Sequence, residues 1–262
     1  MSETKPYHLQ TAVRDVGYAL LPGDPGRVTA IAKRLGSPRE VSVNREFTTW
    51  SGTLEGTEVL VTSTGIGGPS AAIAVEELCD IGVHTLVRVG TCGALQPGRR
   101  YGDVVIAQAA VRDEGTTAQY APLSWPATAS LDVVVALRDA ARTRGRRWHV
   151  GTVQSKDSFY GQIEPRRMPV HAELLQRREA LVRLGVEASE MECAALFTVA
   201  RARGARAGAV LAVINEAVPA QDAASLPDPH RLPLDDVIEL AVEGLRHLIG
   251  LDADPRLRAV PS

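Results

Sequence analysis

The side chains in this sequence that could do chemistry are arginines set in apolar or glycine-rich runs and a closely spaced pair of carboxylates. Arg88 lies in Leu86-Val87-Arg88-Val89-Gly90-Thr91. An arginine in so apolar a run needs an anionic partner or an open site, because burying an unpaired charge is costly. A structural salt bridge and an anion site are both open readings here. Thr91 and the backbone of Gly90 and Gly93 would add donors to the same anion. Arg27 closes the turn Pro22-Gly23-Asp24-Pro25-Gly26-Arg27, between an apolar run and a helical stretch at 28–35. Glycine admits φ > 0 and close approach of an anion, and a helix N-terminus favours negative charge. The turn is neither a Walker loop nor GxGxxG, since no GK[ST] follows; a plain strand-to-helix turn with a solvated arginine is the competing reading. Arg45, in Asn44-Arg45-Glu46-Phe47-Thr48-Thr49-Trp50, is either a surface residue or a third cation. Several guanidinium forks together suit a phosphate dianion.

The carboxylates are Glu190 and Glu192, in Ser189-Glu190-Met191-Glu192-Cys193 ahead of an apolar helix. Glu190 reads equally as a carboxylate favoured by the helix dipole and as a site group. Glu192, near a cleft, can accept hydrogen bonds from vicinal hydroxyls such as those of a ribose. A glycosidase dyad would also use two carboxylates, but that pattern alone has little specificity. The stretch 155–169, SKDSFYGQIEPRRMP, is too polar for a core. It supplies Phe159 and Tyr160 in a chain only 4% aromatic. Its Gln162 carries an amide donor and acceptor that suit a pyrimidine edge; a surface loop with one anchoring aromatic is the alternative.

The elements that position these groups follow from composition and periodicity. The chain has 262 residues, 45% of them hydrophobic, enough for one large core. A net charge of −2 gives no global reason to bind nucleic acid or an anionic membrane. The 3 cysteines, Cys79, Cys92 and Cys193, form no CxxC, which excludes a disulfide scaffold or cysteine zinc site and fits a reducing, cytoplasmic setting. The 6 histidines lack metal-ligand spacing. The N-terminus does not read as a signal peptide, and no apolar run approaches the roughly 20 residues of a spanning helix. The polar stretches 157–169, 219–233 and 252–262 do not read as linkers, so 1–262 is expected to be one domain, with 252–262 as a mobile tail. Strands are expected at 18–21, 58–62, 85–89, 103–111, 149–154 and 209–214. Helical faces are expected at Ala72/Val75/Leu78/Cys79, Leu196/Val199/Ala200 and Val237/Leu240/Ala241/Leu245. The alternation implies an α/β fold with ligands at the carboxyl ends of strands, where three strands run into glycine turns.

Taken together, the segments LLPGDPGRV (20–28), NREFTTWSG (44–52), STGIGGPSAAIAVEEL (63–78), VRVGTCGAL (87–95), SKDSFYGQ (155–162) and SEMECAALF (189–197), with Tyr7-His8-Leu9, resemble the nucleoside phosphorylase-I family. REFTTW together with FYGQ points to its uridine phosphorylase branch. The resemblance implies a single-domain fold with a central mixed β-sheet, partly barrel-like and flanked by helices, assembled as a homohexamer of dimers. It implies that Gly23, Arg27, Arg88 and Thr91 hold phosphate, joined by Arg45 from the neighbouring subunit. Met191, Glu192 and the neighbour's copy of His8 would contact the ribose. Cys92, Gly93, Phe159, Gln162 and Glu190 would surround the base. A potassium ion at the dimer interface would be held by Glu46, Ile66 and Ser70. No other cofactor is implied, and phosphate is the co-substrate of the nucleoside.

The sequence departs from the family pattern at three points. Glu164 stands where an arginine often follows the base-binding glutamine, leaving Arg166 or Arg167 as replacements. Val213-Ile214-Asn215-Glu216 lacks both the Ser-Asp pair of purine enzymes and the arginine of several uridine enzymes. Cys92 stands where a threonine or other small residue is common. The expected reaction is phosphorolysis of uridine. The alternatives are a purine or 5′-modified nucleoside phosphorylase, a nucleosidase, and a non-catalytic nucleoside-binding protein.

Overall fold

Strands that are apolar on both sides make the centre of this fold. The computed structural model describes residues 5–145, 147–218, 226–228 and 231–254. Its strands are β1 (Tyr18–Pro22), β2 (Gly36–Asn44), β3 (Phe47–Leu54), β4 (Thr57–Thr62), β5 (Thr85–Ala94), β6 (Val104–Asp113), β7 (Ala127–Thr128), β8 (Trp148–Lys156), β9 (Ala188–Glu190) and β10 (Arg206–Asn215). Its α-helices are α1 (Val28–Ala32), α2 (Gly68–Asp80), α3 (Leu131–Thr143), α4 (Phe159–Ile163), α5 (His171–Arg183), α6 (Cys193–Ala202) and α7 (Asp235–Ala253). Side chains alternate across a strand. Ala19 and Leu21 of β1, with Ala209, Leu211 and Val213 of β10, join a core under α2 and α6. Tyr18, Leu20, Val210 and Ala212 join the opposite core, under α1, α3 and α7.

All ten strands belong to one mixed sheet, in the order β10-β6-β8-β9-β5-β1-β4-β3-β2 with β7 beside β6. The additional pairing of β10 with β5 closes β10, β6, β8, β9 and β5 into a ring. This is the partly barrel-like sheet that the resemblance implies. One edge of β5 pairs with β10 along most of its length. The other edge pairs with β1 in parallel from Thr85 to Val89, then with β9 antiparallel at Gly93 and Ala94. Between those two partners the sheet divides into ring and open wing. Crevices that bind ligands form where strand neighbours diverge in this way.

The six expected strands and three expected helical faces all form, but the sequence reading differs from the fold in several places. The edge strand β2 is mostly exposed and contains Pro38 and charged residues, devices that blunt a sheet edge and also hide the strand from pattern reading. The helix expected at 28–35 stops at Ala32. Gly90 and Gly93 lie inside β5 rather than in a turn after it. Ser155 and Lys156 belong to the buried end of β8, not to a polar loop. Of the tail expected to be mobile, Asp252 and Ala253 are helical, and Asp252 accepts a 2.7 Å hydrogen bond from the Tyr18 hydroxyl; residues 255–262 lie outside the described residues. Among the described residues no helix is long and apolar enough to cross a membrane.

Phe197 on α6 is 2% exposed and sits in the core beneath the segment that carries both carboxylates. Phe197→Ala is expected to lower unfolding free energy by about 3–5 kcal/mol. Val43→Ala, on the exposed face of β2, should stay within about 0.5 kcal/mol. Urea denaturation of both variants checks the contrast.

Candidate active site

Where β5 changes neighbours, a cleft of about 640 Å³ opens. Its inner wall is Arg88, whose side chain is only 6% exposed. Gly90 makes this position possible: a Cβ there would lie 2.9 Å from the guanidinium Cζ. The guanidinium sits between two carboxylates. Nη2 donates to Glu192 Oε2, and Nε lies 3.2 Å from Glu190 Oε2. Burial alone would favour neutral arginine, but Glu192 and Glu190 outweigh it and hold the group charged more firmly than usual. Nη1 is buried without a partner and faces Gly23, where a Cβ would come within 3.7 Å of it. A buried charged N–H left unpaired is expensive, so this atom marks the place for an anion.

The two carboxylates have different duties. Glu190 accepts from the backbone N–H of Glu192 at 2.8 Å and of Cys193 at 3.0 Å, and from the Ser155 hydroxyl. Both of its oxygens are therefore committed to the start of α6 and to Arg88, and it lines the cleft as Glu192 does. Glu192 accepts from Gly67 N–H at 2.6 Å and from Arg88. Gly67 has φ +88°, a conformation that suits glycine and turns its N–H toward the carboxylate. Burial pushes the Glu192 carboxyl above its ordinary value, opposed by Arg88.

Arg27 approaches from the turn after β1. Burial lowers its pKa, Asp24 opposes that shift, and Arg88 adds to it. Two guanidinium groups thus repel each other across the cleft, and an anion between them would relieve the repulsion. One N–H of the turn is used within the turn itself. Asp24 already accepts from Gly26 N–H at 2.8 Å, and α1 is only 5 residues long.

Gly23, Thr91, Cys92, Gly93, Phe159, Gln162 and Met191 line the same cleft, with Glu46, Ile66 and Ser70 at its mouth. Cys92 is buried, and burial drives its thiol well above the ordinary range, so it packs rather than reacts. Arg166 and Arg167 are exposed and absent from the cleft lining. Arg167 instead pairs with Glu164 at 2.6 Å and lies over the Tyr160 ring. His8 and Arg45 are also outside the chain's own cleft. His8 Nδ1 lies 2.7 Å from Glu77 Oε1, and the His8 carbonyl accepts from Asn44 at 2.7 Å, next to Arg45. The structure thus brings these two residues near one another, beside Glu46 but outside the lining.

Sequence reasoning missed two cations in the lining, Lys156 and Arg178. Lys156 ends β8 and is 9% exposed. Its Nζ lies 3.4 Å from the Glu190 carbonyl, and burial lowers its pKa against the pull of Glu190 and Glu192. Val153 and Ser155 already fill one face of β8, so strand alternation placed Lys156 on the other. Arg178 is 8% exposed. Its signal was the three-residue spacing to Leu181 in an otherwise polar helix.

A family model described as the phosphorylase superfamily matches residues 18–242. The chain is 47% identical over 248 residues to a uridine phosphorylase of Treponema pallidum, covering 94% of this chain and 95% of that protein. It is 38% identical over 261 residues to the uridine phosphorylase of Escherichia coli, covering 95% and 100%. It is 40% identical over 195 residues to a guanosine phosphorylase of Halorubrum lacusprofundi, covering 74% and 76%.

Removing one partner of a buried ion pair strands the other. Glu190→Ala is therefore expected to lower stability by about 3–5 kcal/mol. Glu164→Ala, which breaks the exposed pair with Arg167, should cost no more than about 1 kcal/mol. Denaturation midpoints measured side by side check the ranking; equal losses would refute the anchoring role of Glu190.

Proposed function

The chain belongs to the phosphorylase superfamily, and from that premise we propose that it catalyses the reversible phosphorolysis of uridine to uracil and ribose 1-phosphate. The observation that carries this reading is the unpaired Nη1 of buried Arg88, set beside Arg27 and next to Glu192. Phosphate held by Arg88, Arg27 and Thr91 lies beneath C1′, while Glu192 and Met191 hold the ribose. As the C1′–N1 bond breaks, its electron pair leaves with the base and C1′ gains oxocarbenium character. A phosphate oxygen stabilises that charge and forms the new C1′–O bond. The departing uracil spreads its negative charge onto its carbonyl oxygens, where Lys156 and Gln162 donate, and solvent supplies the proton. Catalysis is positioning plus preorganised charge, with no covalent enzyme intermediate.

Arg45 and His8 complete the site of a second copy of the chain, since neither lines its own cleft. The assembly is then a homo-oligomer of dimers, a hexamer. Glu46 and Ser70 bring a carboxylate and a hydroxyl within 2.9 Å of each other. Such oxygen donors, doubled across a dimer axis, suit a monovalent cation at Glu46, Ile66 and Ser70. The reaction needs no other cofactor. Free Cys79, Cys92 and Cys193 support a reducing, cytoplasmic setting, and the chain is taken as one catalytic domain.

Free-base release from uridine, guanosine, inosine and adenosine, with and without phosphate, tests the reading. Uracil release that depends on phosphate is expected. Equal release without phosphate would indicate a nucleosidase, and faster release of guanine would move the base assignment to purines. Arg88→Ala is expected to lower uridine phosphorolysis by at least about 100-fold; retained activity in a folded variant refutes the phosphate assignment. Lys156 must be protonated to offer a positive charge to the departing base, and its pKa is lowered. Activity should therefore fall as pH rises through a midpoint below the ordinary lysine range. Lys156→Arg, which does not titrate there, should remove that limb of the pH–rate profile.

A further inference from the structure

We propose that Arg178 reads the base oxygen farthest from the sugar, and that through it the cleft selects 4-oxo pyrimidines over their 4-amino and 4-unsubstituted counterparts. This rests on the phosphorolysis reading above and names the specificity element of that same site.

Helix α5 is polar and largely exposed, yet the residues it buries are Arg178 and Leu181. Neighbouring Arg177 turns outward and pairs with Asp113. Arg178 turns inward and has no carboxylate partner among the described residues; its Nη2 donates to the Val218 carbonyl at 2.9 Å. One neutral acceptor leaves most of the five N–H groups of a guanidinium uncommitted. Burial shifts its pKa downward with no opposing carboxylate among the described residues, unlike Arg88. A polar helix that spends a buried position on an arginine with no counter-ion among the described residues gains nothing in stability from it.

Its position indicates what it meets. Beside the main cleft lies a smaller cavity of about 180 Å³, and Lys156, Gln162 and Arg178 line both. These three residues therefore stand between the two. Lys156 is the one near the sugar and phosphate end, because it contacts the Glu190 carbonyl and feels both Glu190 and Glu192. Arg178 feels neither. Along a base attached through N1, that order places Lys156 toward O2 and Arg178 toward O4. Glu164, held outward by Arg167, is not in the lining and leaves that end cationic. A guanidinium donor matches a carbonyl oxygen, meets the donor NH2 of a cytosine badly, and finds no partner on a pyrimidin-2-one.

The test compares wild type, Arg178→Met and Arg178→Lys on uridine, cytidine and the riboside of pyrimidin-2-one, each with phosphate. Wild type is expected to prefer uridine. Arg178→Met should lose about 10–100-fold in kcat/KM on uridine while changing by less than about threefold on the pyrimidin-2-one riboside. Arg178→Lys should recover part of the uridine activity. The same loss on both substrates, or no loss on uridine, overturns the assignment by giving Arg178 a structural role or none. If Arg178→Met fails to fold, the ratio between the two substrates in Arg178→Lys decides the question in the same way. Wild type that releases no uracil from uridine and phosphate overturns the phosphorolysis reading, and this inference with it.

Discussion

The buried Arg88 held between Glu190 and Glu192 is the interaction on which the rest of the site depends. Its cost is set by burial, and its tolerance by three independent supports. Gly90 clears space for the guanidinium, Ser155 and the start of α6 fix Glu190, and Gly67 fixes Glu192. Each support comes from a different element, so the charge cluster ties β5, β8, α6 and the start of α2 to one point. Two carboxylates balance the charge of the cation, and Nη1 is left without a protein partner. That arrangement separates holding the charge in place from using it.

The topology explains why this cluster lies where it does. β5 serves the open wing with its first half and the ring with its second. Arg88 is near the end of the shared part, so its side chain faces the gap between the two parts of the sheet. The ring brings Lys156, at the end of β8, to the same gap through the pairing of β8 with β9. The wing brings Gly23 and Arg27 from β1. No single element carries the site, and the divergence of the sheet assembles it.

Much of this was legible in the sequence, for identifiable reasons. Arg88 stood out because a charge in an apolar strand is rare enough to demand a partner, although the sequence could not say that the partners were Glu190 and Glu192. Those carboxylates were legible as groups preceding a helix, but what each one holds depended on hydrogen bonds between distant segments. Lys156 was hidden by a polar neighbourhood that resembles a loop; only the pairing of β8 with β6 and β9 shows it to be buried. Arg178 was hidden by helix α5, whose polarity suppresses the apolar stripe that marks a helix. Arg166 and Arg167 were the nearest replacements for the arginine missing at Glu164, but the short turns after α4 direct Arg167 onto Tyr160 and Glu164. Edge strand β2 failed to show because a well-protected edge avoids the alternation that marks a strand.

The hairpin tip between β2 and β3 has a further consequence. Asn44 grips the His8 carbonyl, Ser42 grips that of Leu9, and Glu77 clamps the backbone of both residues from α2. The N-terminal segment and the hairpin therefore travel as one rigid hand. On the proposed assembly, a neighbouring site would receive its sugar contact and its extra cation together or receive neither. Turnover per chain would then decline on dilution as a single cooperative step, and loosening that grip would mimic dilution without altering any atom of the cleft itself.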